Sequence, residues 1–424
     1  MGIAATHASA GRCAPGADSL APVPRSASSD KRTAIVLAGG GARGAYEIGA
    51  LSALLPALED SERPQIVIGT SVGAINAAYL AAHADESPGE IVTGGVELWR
   101  RINWGSVLRP LVSLGEGARL WSYALEVLGS HRAHTNSLLD PAPLAATLNE
   151  LIPFERIHSN VQTGHLRSAA VVATSGRTNL SVVFHDGGPS PGIDVLRGIS
   201  YVPTELAEEH VRASAAIPLV FPAVPIGGPG GRRWYFDGGT RLNAPIKPAL
   251  ALGAERVIVI ALNALLPTPE LEGDSRPDAL DGATQLIQAV LVDPLVNDVH
   301  TLATVNELLA DNTPAKVKAH EKRTGRRRVP YMLIAPEDPF EIGRLAREVF
   351  RARFDTPTAL VRSPNISAVG HLLNAAKDDS HGELLSYLLF AADFIERLIG
   401  LGRRDAERWL SQKHDDGHWQ LGQL

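Results

Sequence analysis

The sequence lacks several features that would assign it to a particular class of protein. It contains one cysteine, Cys13, so it can form neither an intrachain disulfide nor a metal cluster built from cysteines. Its formal net charge of -6 offers no electrostatic basis for binding nucleic acid. No stretch reaches the roughly 18 uninterrupted apolar residues of a membrane-spanning helix. We therefore expect a cytoplasmic protein that at most contacts a membrane at its surface.

The remaining composition is that of a globular protein, with 45% hydrophobic and 20% charged residues. A chain of 424 residues has room for about two or three domains, or for one large α/β domain with insertions. Residues 1–32 are rich in Ala, Ser, Gly and Pro and show no apolar core of a secretory signal. We expect this segment to be a disordered N-terminal tail.

Short apolar runs followed by glycine and then by a helical pattern occur twice near the start of the chain. Thr33–Ala38 and Gln65–Ile68 have the composition of buried strands, while Gly44–Leu58 and Val72–Ala82 have the spacing of helices. A repeated order of strand, turn and helix favours a parallel sheet with helices on its faces. The sequence thus predicts a three-layer α/β/α fold with a central, mostly parallel sheet.

The rest of the chain divides into a catalytic core, predicted over 33–262, and a mainly helical C-terminal extension over 263–424 packed on it. Helical patterns run from Asp281 to Ala310 and from Gly382 to Leu410, and Val224–Gly231 has the composition of a loop. Further strands are predicted at Ala169–Thr174, Leu180–Phe184, Arg233–Phe236, Arg256–Leu262 and Val329–Ala335.

The first chemical motif is a glycine-rich turn between the first strand and the first helix. Backbone N–H groups in such a turn can approach an anion closely, and the helix N-terminus adds a favourable dipole. The spacing also fits a dinucleotide-binding turn, with Glu59, Asp60 and Glu62 near the place of a ribose-binding acid. On its own the motif leaves both kinds of site open. Its residues are Gly39, Gly40, Gly41, Ala42, Arg43 and Gly44.

The second motif, Gly69-Thr70-Ser71-Val72-Gly73, lies between the second strand and an apolar helix. A G-x-S-x-G sequence in this context is typical of a nucleophile elbow. There the serine occupies a sharp turn, and small neighbours avoid clashes as its hydroxyl projects from the sheet. The motif therefore makes Ser71 a candidate nucleophile.

The third motif, Asp237-Gly238-Gly239, follows the strand predicted at Arg233–Phe236. A carboxylate at a strand end with two glycines behind it can approach another loop closely, although Asp-Gly is also a common turn. An esterase needs oxyanion donors, a nucleophile and a base, and the three motifs together could supply them.

The sequence resembles the patatin-like phospholipase family, which carries G-G-G-x-R/K-G, G-x-S-x-G and D-G-G/A in this order. GGGARG, GTSVG and DGG stand here in the same order, and the likeness covers about Thr33 to Leu262. Ser137–Pro141 and Ala213–Pro218 are similar to segments of that family between the motifs, and a weaker likeness reaches the late helix near Gly402–Ala406.

The resemblance implies a lipid acyl hydrolase that uses a serine–aspartate dyad and no histidine. Ser71 would form the acyl-enzyme, and Asp237 would act as the general base. Burial would raise the Asp237 pKa from its ordinary value of about 3.9 and make it a better base. Arg43 would fix the glycine-rich loop or meet a phosphate. The implied oxyanion hole comprises Gly39, Gly40, Gly41, Arg43 and Gly44, and the implied motif glycines are Gly69, Gly73, Gly238 and Gly239.

Three other functions stay open at this point. An esterase could instead use a later histidine in a triad, a dinucleotide-dependent oxidoreductase could use GGGARG, and a catalytically silent lipid-binding protein could carry the same motifs. The candidate histidines are His300, His320, His371, His381, His414 and His418.

We expect a lipid or phospholipid substrate, no cofactor, no metal and no nucleic-acid partner. Ser106–Leu128 mixes apolar residues with arginines and is a candidate lid. Lys316–Arg328 is strongly basic, and each basic residue near an anionic membrane contributes about 1 kcal/mol of attraction. This segment is therefore a candidate for peripheral membrane contact.

Overall fold

The protein is described here from a computed structural model covering residues 31–109, 139–228, 231–265, 278–310, 313–324 and 327–423. The tail predicted over 1–32 therefore lies almost wholly outside the described residues, and so does most of the candidate lid. The described part belongs to one unit spanning Lys31–Leu424.

A nine-stranded sheet forms the centre of this unit, in the order β5-β4-β3-β2-β1-β8-β9, with β6 and β7 forming a branch beside β3. Five neighbouring strands, β3-β2-β1-β8-β9, are parallel, while β4 and β7 both run antiparallel to β3. The strands are β1 (Thr33–Leu37), β2 (Pro64–Thr70), β3 (Ser168–Ser175), β4 (Ser181–Gly187), β5 (Ile199–Pro203), β6 (Val224–Ile226), β7 (Arg233–Asp237), β8 (Arg256–Ile260) and β9 (Tyr331–Ile334).

Helices flank the sheet and confirm the predicted α/β architecture. The N-terminal helices are α1 (Gly44–Ala57), α2 (Val72–Ala82), α3 (Pro88–Arg101), α4 (Trp104–Val107), α5 (Ala142–Leu151), α6 (Phe154–Gln162), α7 (Glu208–Ser214) and α8 (Ile246–Ala251). The C-terminal helices are α9 (Ala279–Leu291), α10 (Asp293–Ala310), α11 (Pro314–Thr324), α12 (Glu341–Arg353), α13 (Ala359–Arg362), α14 (Pro364–Leu372), α15 (Asp379–Ser386) and α16 (Ala392–Ser411).

The central strands are apolar because both of their faces are covered. Every residue of β1 (TAIVL) and of β8 (RVIVI) is buried, as expected for parallel strands between two layers of helices. This explains why short continuous apolar runs, without alternation, predict the strands of this sheet well.

Two strands meet end to end beside β3, and this arrangement positions the chemistry. Parallel β2 ends with Thr70 opposite Val172, while antiparallel β7 arrives from the other direction and ends with Asp237 opposite Ala173. The residues at these two ends therefore face each other across consecutive positions of one strand. We call the side of the sheet where β1 and β2 end the catalytic edge.

The C-terminal part of the chain packs closely on the core and also extends its sheet. A Cβ on Gly402 would lie 2.0 Å from Tyr46 O, so α16 approaches the backbone of α1 as closely as glycine permits. Tyr46 Oη donates to Asp405 Oδ2 at 2.8 Å across the same contact. Because β9 pairs with β8, the sheet continues beyond residue 262, and the domain division at that position stays a prediction.

Three sequence predictions of local structure are wrong. The helix predicted from Asp281 to Ala310 is divided between α9 and α10 at Val292, next to Pro294, which has no N–H to donate. The helix predicted from Gly382 to Leu410 is divided into α15 and α16. Val224–Gly231 is not entirely a loop, because its first three residues form β6 by pairing with β7.

Candidate active site

Ser71 occupies a sharp turn between β2 and α2, with φ 55° and ψ −123°. Positive φ is costly for a residue with a Cβ, so surrounding structure must hold it in place. A Cβ on Gly69 would lie 2.0 Å from Gly73 O, which shows how tightly the turn closes. This geometry is that of a nucleophile elbow, and it explains the two glycines flanking Ser71.

The segment Ala213–Pro218 supports the elbow from the side. Ser71 N donates to Ser214 Oγ at 2.8 Å, and Ser214 Oγ donates to Val172 O at 2.6 Å. Asp237 N donates to Ala216 O at 2.8 Å, so the same segment holds the backbone of the second candidate residue. The family-like sequence noted there thus corresponds to a structural support for both Ser71 and Asp237.

Asp237 ends β7 and is 4% exposed. Its Oδ1 accepts a hydrogen bond from Gly239 N at 2.6 Å, and its carbonyl accepts one from Thr174 Oγ1 at 3.0 Å. A Cβ on Gly238 would lie 2.2 Å from Val172 O, so the turn after Asp237 presses directly against β3. The glycines of this motif permit close approach of the aspartate to its neighbours.

Burial raises the pKa of Asp237 from 3.8 to about 7, although hydrogen bonds from the Ser71 side chain and from Gly239 N–H act to lower it. The structure thus brings Ser71 and Asp237 into contact. No cation pairs with Asp237 among the residues for which the structure gives side chains. Its carboxylate is therefore poised to exchange a proton near neutral pH.

The glycine-rich loop lies against the candidate nucleophile. A Cβ on Gly39 would lie 2.9 Å from Ser71 Cβ and 2.6 Å from Asn243 Oδ1. Gly39 N donates to Asn243 Oδ1 at 3.0 Å. Within the described ranges, the N–H groups of Gly40 and Gly41 have no protein acceptor. These two N–H groups of the loop therefore remain available as hydrogen-bond donors.

Gly41 requires glycine both for its conformation and for space. Its φ of 59° lies in the left-handed region, and a Cβ there would be 2.2 Å from Tyr387 O. Ala42 N donates to the same carbonyl at 3.0 Å. The segment after α15 therefore fixes the loop from outside the predicted catalytic core.

Arg43 is buried and directed toward α15, away from solvent. Its guanidinium forms an ion pair with Glu383 and donates to Ser386 Oγ at 2.7 Å. It also donates to Asn263 Oδ1 at 2.6 Å and stacks 3.9 Å above the ring of Tyr387. These contacts support the loop-fixing role rather than a phosphate-binding role for Arg43.

Two features of the site carried no signal in the sequence. Asn243 is 1% exposed, and besides holding Gly39 it donates to Leu291 O at 2.9 Å. It lies six residues after Asp237, but a single asparagine in a loop predicts nothing by itself. Its role is visible only in the structure, where the segment after Asp237 lies beside both the glycine-rich loop and the end of α9.

Behind the loop, buried Asn76 links α1, α2 and α3. Its Nδ2 donates to Gly44 O at 2.9 Å and to Glu47 Oε2 at 2.7 Å, and its Oδ1 accepts from Trp99 Nε1 at 2.9 Å. Burial raises the pKa of Glu47 well above its ordinary value. Nothing in the sequence indicates this network, because an amphipathic pattern does not identify which polar residues of a helix face the core.

The candidate triad histidines form contacts elsewhere. No histidine hydrogen-bonds to Ser71 or Asp237 in the part of the chain that the structure describes. Their partners are Gln423 for His300, Asp355 for His371, Asn374 O for His381 and Trp409 for His414, while the His418 carbonyl accepts from Trp409 Nε1; the side chain of His320 lies outside the described set.

The acids considered for ribose binding lie at the wrong edge of the sheet. Glu59, Asp60 and Glu62 directly precede β2, whereas the glycine-rich loop follows β1 at the opposite ends of these parallel strands. Glu62 Oε1 instead accepts a hydrogen bond from Trp419 Nε1 at 2.7 Å. The structure therefore places no ribose-binding acid from this group beside the loop.

A possible metal-binding group lies away from the site, where Asp278, Asp281 and His381 approach one another. Lys377 Nζ already lies 2.8 Å from Asp278 Oδ2 and supplies positive charge there.

In the described segments, no helix has the combined length and apolar character needed to cross a membrane.

A family model described as patatin-like phospholipase matches residues 35–250, just over half of the 424-residue chain. The chain belongs to the patatin-like phospholipase family. The match includes the glycine-rich loop, Ser71, Asp237 and Asn243, and membership supports lipid hydrolase activity. No curated protein sequence matches the chain.

Solved structures with a similar fold include VipD from Legionella pneumophila and human GIVD cytosolic phospholipase A2. VipD is 15% identical with a TM-score of 0.29, over 72% of this chain and 62% of VipD. The human enzyme is 12% identical with a TM-score of 0.40, over 89% of this chain and 58% of that chain. This chain thus spans about 60% of the length of either protein.

Proposed function

We propose that this patatin-like protein is a lipid acyl hydrolase that cleaves carboxylic esters through a Ser71 acyl-enzyme. The observation that carries the proposal is the end-to-end meeting of β2 and β7, which brings the Ser71 hydroxyl to the Asp237 carboxylate. Nucleophile and base must lie within hydrogen-bonding reach for proton transfer to accompany attack.

In the first step, Ser71 Oγ attacks the ester carbonyl while Asp237 takes the hydroxyl proton. The carbonyl π-electrons move to oxygen, and the resulting oxyanion is stabilised by the free N–H groups of Gly40 and Gly41. One such donor is worth about 2.7–4 kcal/mol in the transition state. When the tetrahedral intermediate collapses, the C–O bond to the alcohol breaks and Asp237 returns the proton to the leaving oxygen.

In the second step, water replaces serine as the attacking group. Asp237 takes a proton from water as it attacks the acyl-enzyme, and the same proton returns to Ser71 Oγ as the free acid leaves. An Asp237 pKa of about 7 suits both roles, because the group can accept and release a proton near neutral pH. The net reaction is ester plus water to acid plus alcohol, and it uses neither metal nor cofactor.

The glycine-rich loop supplies positioning as well as hydrogen-bond donors. Asn243 holds Gly39 against Ser71, and Arg43 ties the other end of the loop to α15. The loop is thus fixed at both ends before substrate arrives, so the oxyanion donors need little rearrangement during reaction. We infer that Arg43 and Asn243 are positioning residues, since neither guanidinium nor amide is left free to reach the substrate.

A fluorophosphonate probe and a short nitrophenyl ester test the proposal together. We expect the wild type to be labelled by the probe and to hydrolyse the ester, and Ser71→Ala to do neither. Ser411→Ala is the matched control, because Ser411 is an exposed serine whose hydroxyl donates to Arg408 O far from the site. Absence of labelling in the wild type would favour a silent lipid-binding protein.

The same assay separates the dyad from a triad. We expect alanine variants of all six candidate histidines to retain ester hydrolysis: His300→Ala, His320→Ala, His371→Ala, His381→Ala, His414→Ala and His418→Ala. If one of them were as inactive as Ser71→Ala while Asp237→Asn stayed active, the proposed base would be wrong. A hydrolysis screen over lipid extracts, wild type against Ser71→Ala, would then identify the lipid class.

A further inference from the structure

Three loops extend beyond the site at the catalytic edge, and their exposed side chains have an unusual composition. The turn at 176–179 joins β3 to β4, residues 194–198 lead into the start of β5, and residues 231–234 include the first two residues of β7. We call these loops, together with Arg241, the catalytic-edge surface. Hydrogen bonds join them, since Gly176 N donates to Trp234 O at 2.9 Å and Ser181 N donates to Gly198 O at 2.9 Å.

Positive charge dominates this surface although the whole chain is acidic. It carries Arg177, Arg197, Arg232, Arg233 and Arg241, all exposed. Its acidic residue is Asp194, which faces Arg197 at 3.6 Å; Asp298 of α10 also faces Arg197. In the described segments the other four arginines have no carboxylate partner, and the one side-chain partner recorded for them is the Tyr235 hydroxyl, which hydrogen-bonds with Arg233.

Large apolar side chains stand among these arginines. Leu196 is 96% exposed, Val195 83% and Trp234 51%. Exposed apolar groups of this size are unfavourable in water unless something covers them, and a tryptophan beside arginines is typical of a membrane–water interface. Two more exposed leucines, Leu219 and Leu286, belong to segments that hold Asp237 and Asn243 respectively.

The position of the surface relative to the site fits an interfacial substrate. Trp234 precedes Asp237 by three residues on β7, which runs out past the end of β2, so at about 3.3 Å per residue it stands roughly 10 Å beyond Asp237. A lipid layer resting on Trp234 and its arginines would lie on the same edge of the sheet as Ser71. One acyl ester could then reach the nucleophile from the layer.

The other basic segment, Lys316–Arg328, lies at the opposite edge of the sheet. Arg327 donates to Ala254 O just before β8, and Pro330 O accepts from Val257 N at the start of the same strand. This is the end where the parallel strands begin. A membrane bound there would leave the catalytic edge facing away from the lipid.

We propose that the catalytic-edge surface docks on anionic phospholipid membranes, with Arg177, Arg232 and Arg233 contacting headgroups and Trp234 and Leu196 entering the interface. The proposal rests on the proposed function for its biological meaning, but it concerns binding and can be tested without catalysis. It assigns membrane contact to these loops instead of to the basic segment predicted from the sequence.

The test measures binding to phosphatidylcholine vesicles with and without phosphatidylserine, by co-sedimentation at low and high salt. All proteins carry Ser71→Ala so that no lipid is consumed. We expect salt-sensitive binding that requires phosphatidylserine, and at least about tenfold weaker binding after Arg177→Glu, Arg232→Glu and Arg233→Glu are combined. The matched control combines Lys316→Glu, Lys322→Glu and Arg328→Glu, three exposed residues of the basic segment, and should bind as the parent does.

A second variant guards against effects of charge reversal on folding. Trp234→Ala should abolish most of the blue shift in tryptophan fluorescence that vesicles induce, while its melting temperature stays that of the parent. Should the arginine reversals lower the melting temperature, the Arg→Gln triple replaces them.

Three results would overturn the proposal. They are failure of the parent to bind anionic vesicles, equal binding by the arginine variant, or an equal loss in the basic-segment control. Failure of wild type to hydrolyse any ester, with vesicle binding intact, would instead contradict the proposed function alone.

Discussion

Two buried carboxylates adjoin the glycine-rich loop and its neighbour Ser71, and they differ in what they face. Glu383 faces the Arg43 guanidinium, and its Oε1 also accepts from Gly343 N at 2.7 Å. Asp237 faces a serine hydroxyl and one backbone N–H, with burial raising its pKa to about 7. A buried carboxylate paired with a cation stabilises architecture, whereas one paired with a hydroxyl stays available for proton transfer.

The largest effect on ester hydrolysis should come from removing the charge of Asp237. Asp237→Asn keeps the shape of the side chain but cannot accept a proton, so we expect ester hydrolysis to fall about 10³–10⁴-fold. Steady-state hydrolysis of a nitrophenyl ester measures it. Residual activity within tenfold of the wild type would exclude Asp237 as the base.

The same variant should not lose stability at neutral pH. The native pKa of Asp237 lies above its ordinary 3.8, so burial of the charged form disfavours folding as pH rises from about 4 through about 7. Asparagine has no such charge. We therefore expect Asp237→Asn to gain in melting temperature relative to wild type as pH rises through that window, and no such relative gain would contradict the raised pKa.

Removing the Glu383 carboxylate, in contrast to that of Asp237, should have a large effect on stability. Glu383→Ala leaves the Arg43 charge buried without its partner, and breaking such a pair costs about 3–5 kcal/mol of unfolding free energy. Denaturant unfolding measures it. The matched control is Glu348→Ala, which removes an exposed ion pair to Arg397 and should cost less than about 1 kcal/mol. Equal losses of unfolding free energy in the two variants would show that the buried ion pair stabilises the protein no more than the exposed one does.

Asn243 is intermediate between the two carboxylates in its expected effect, because it is a neutral buried group that positions the glycine-rich loop. Asn243→Ala removes the acceptor for Gly39 N–H, and we expect turnover of the ester to fall roughly 10–100-fold, the equivalent of about 1–3 kcal/mol. Asn306→Ala is the control, since Asn306 makes two buried hydrogen bonds with the backbone of Val329 away from the site. Both variants should lose stability, but Asn306→Ala should keep its turnover.

The mildest perturbation is a change of pH, and the wild type should respond to it without any substitution. Because the base must be ionised, kcat/KM should fall as pH decreases below about 7, approaching tenfold per pH unit. The rate of fluorophosphonate labelling should follow the same curve, which separates titration of the site from effects on product release. A rate that stays constant down to pH 5 would show that the Asp237 pKa is not raised.

The sequence contains enough information to predict the glycine-rich loop and the turn at Ser71, because each depends on local chemistry. Strand, glycine and helix follow one another in the chain at Gly39–Gly44 and Gly69–Gly73, and the carboxyl ends of parallel strands share one edge. Membership of the family is predictable for the same reason. The bounds of α2 are also predicted correctly, since its apolar pattern begins directly after Ser71.

What could not be predicted depends on contacts between distant parts of the chain. Arg43 and Glu383 are 340 residues apart, and Gly39 and Asn243 are 204 apart, so no local pattern links them. β6 forms because β7 offers hydrogen bonds to Val224–Ile226, against a Pro- and Gly-rich composition that favours a loop. The division at Val292 instead has a local cause, since Pro294 has no N–H to donate, but the apolar periodicity that predicts the helix continues across it.

The ion pair between Arg43 and Glu383 also determines when the glycine-rich loop can reach its final packing during synthesis of the chain. At roughly 5–20 residues per second, a ribosome adds the 340 residues between them in roughly twenty seconds to a minute. Ser71 and Asp237 are both made within that time, while the glycine-rich loop still lacks the partner of its buried cation. The loop therefore cannot reach its final packing until residue 383 has been made, well after both Ser71 and Asp237.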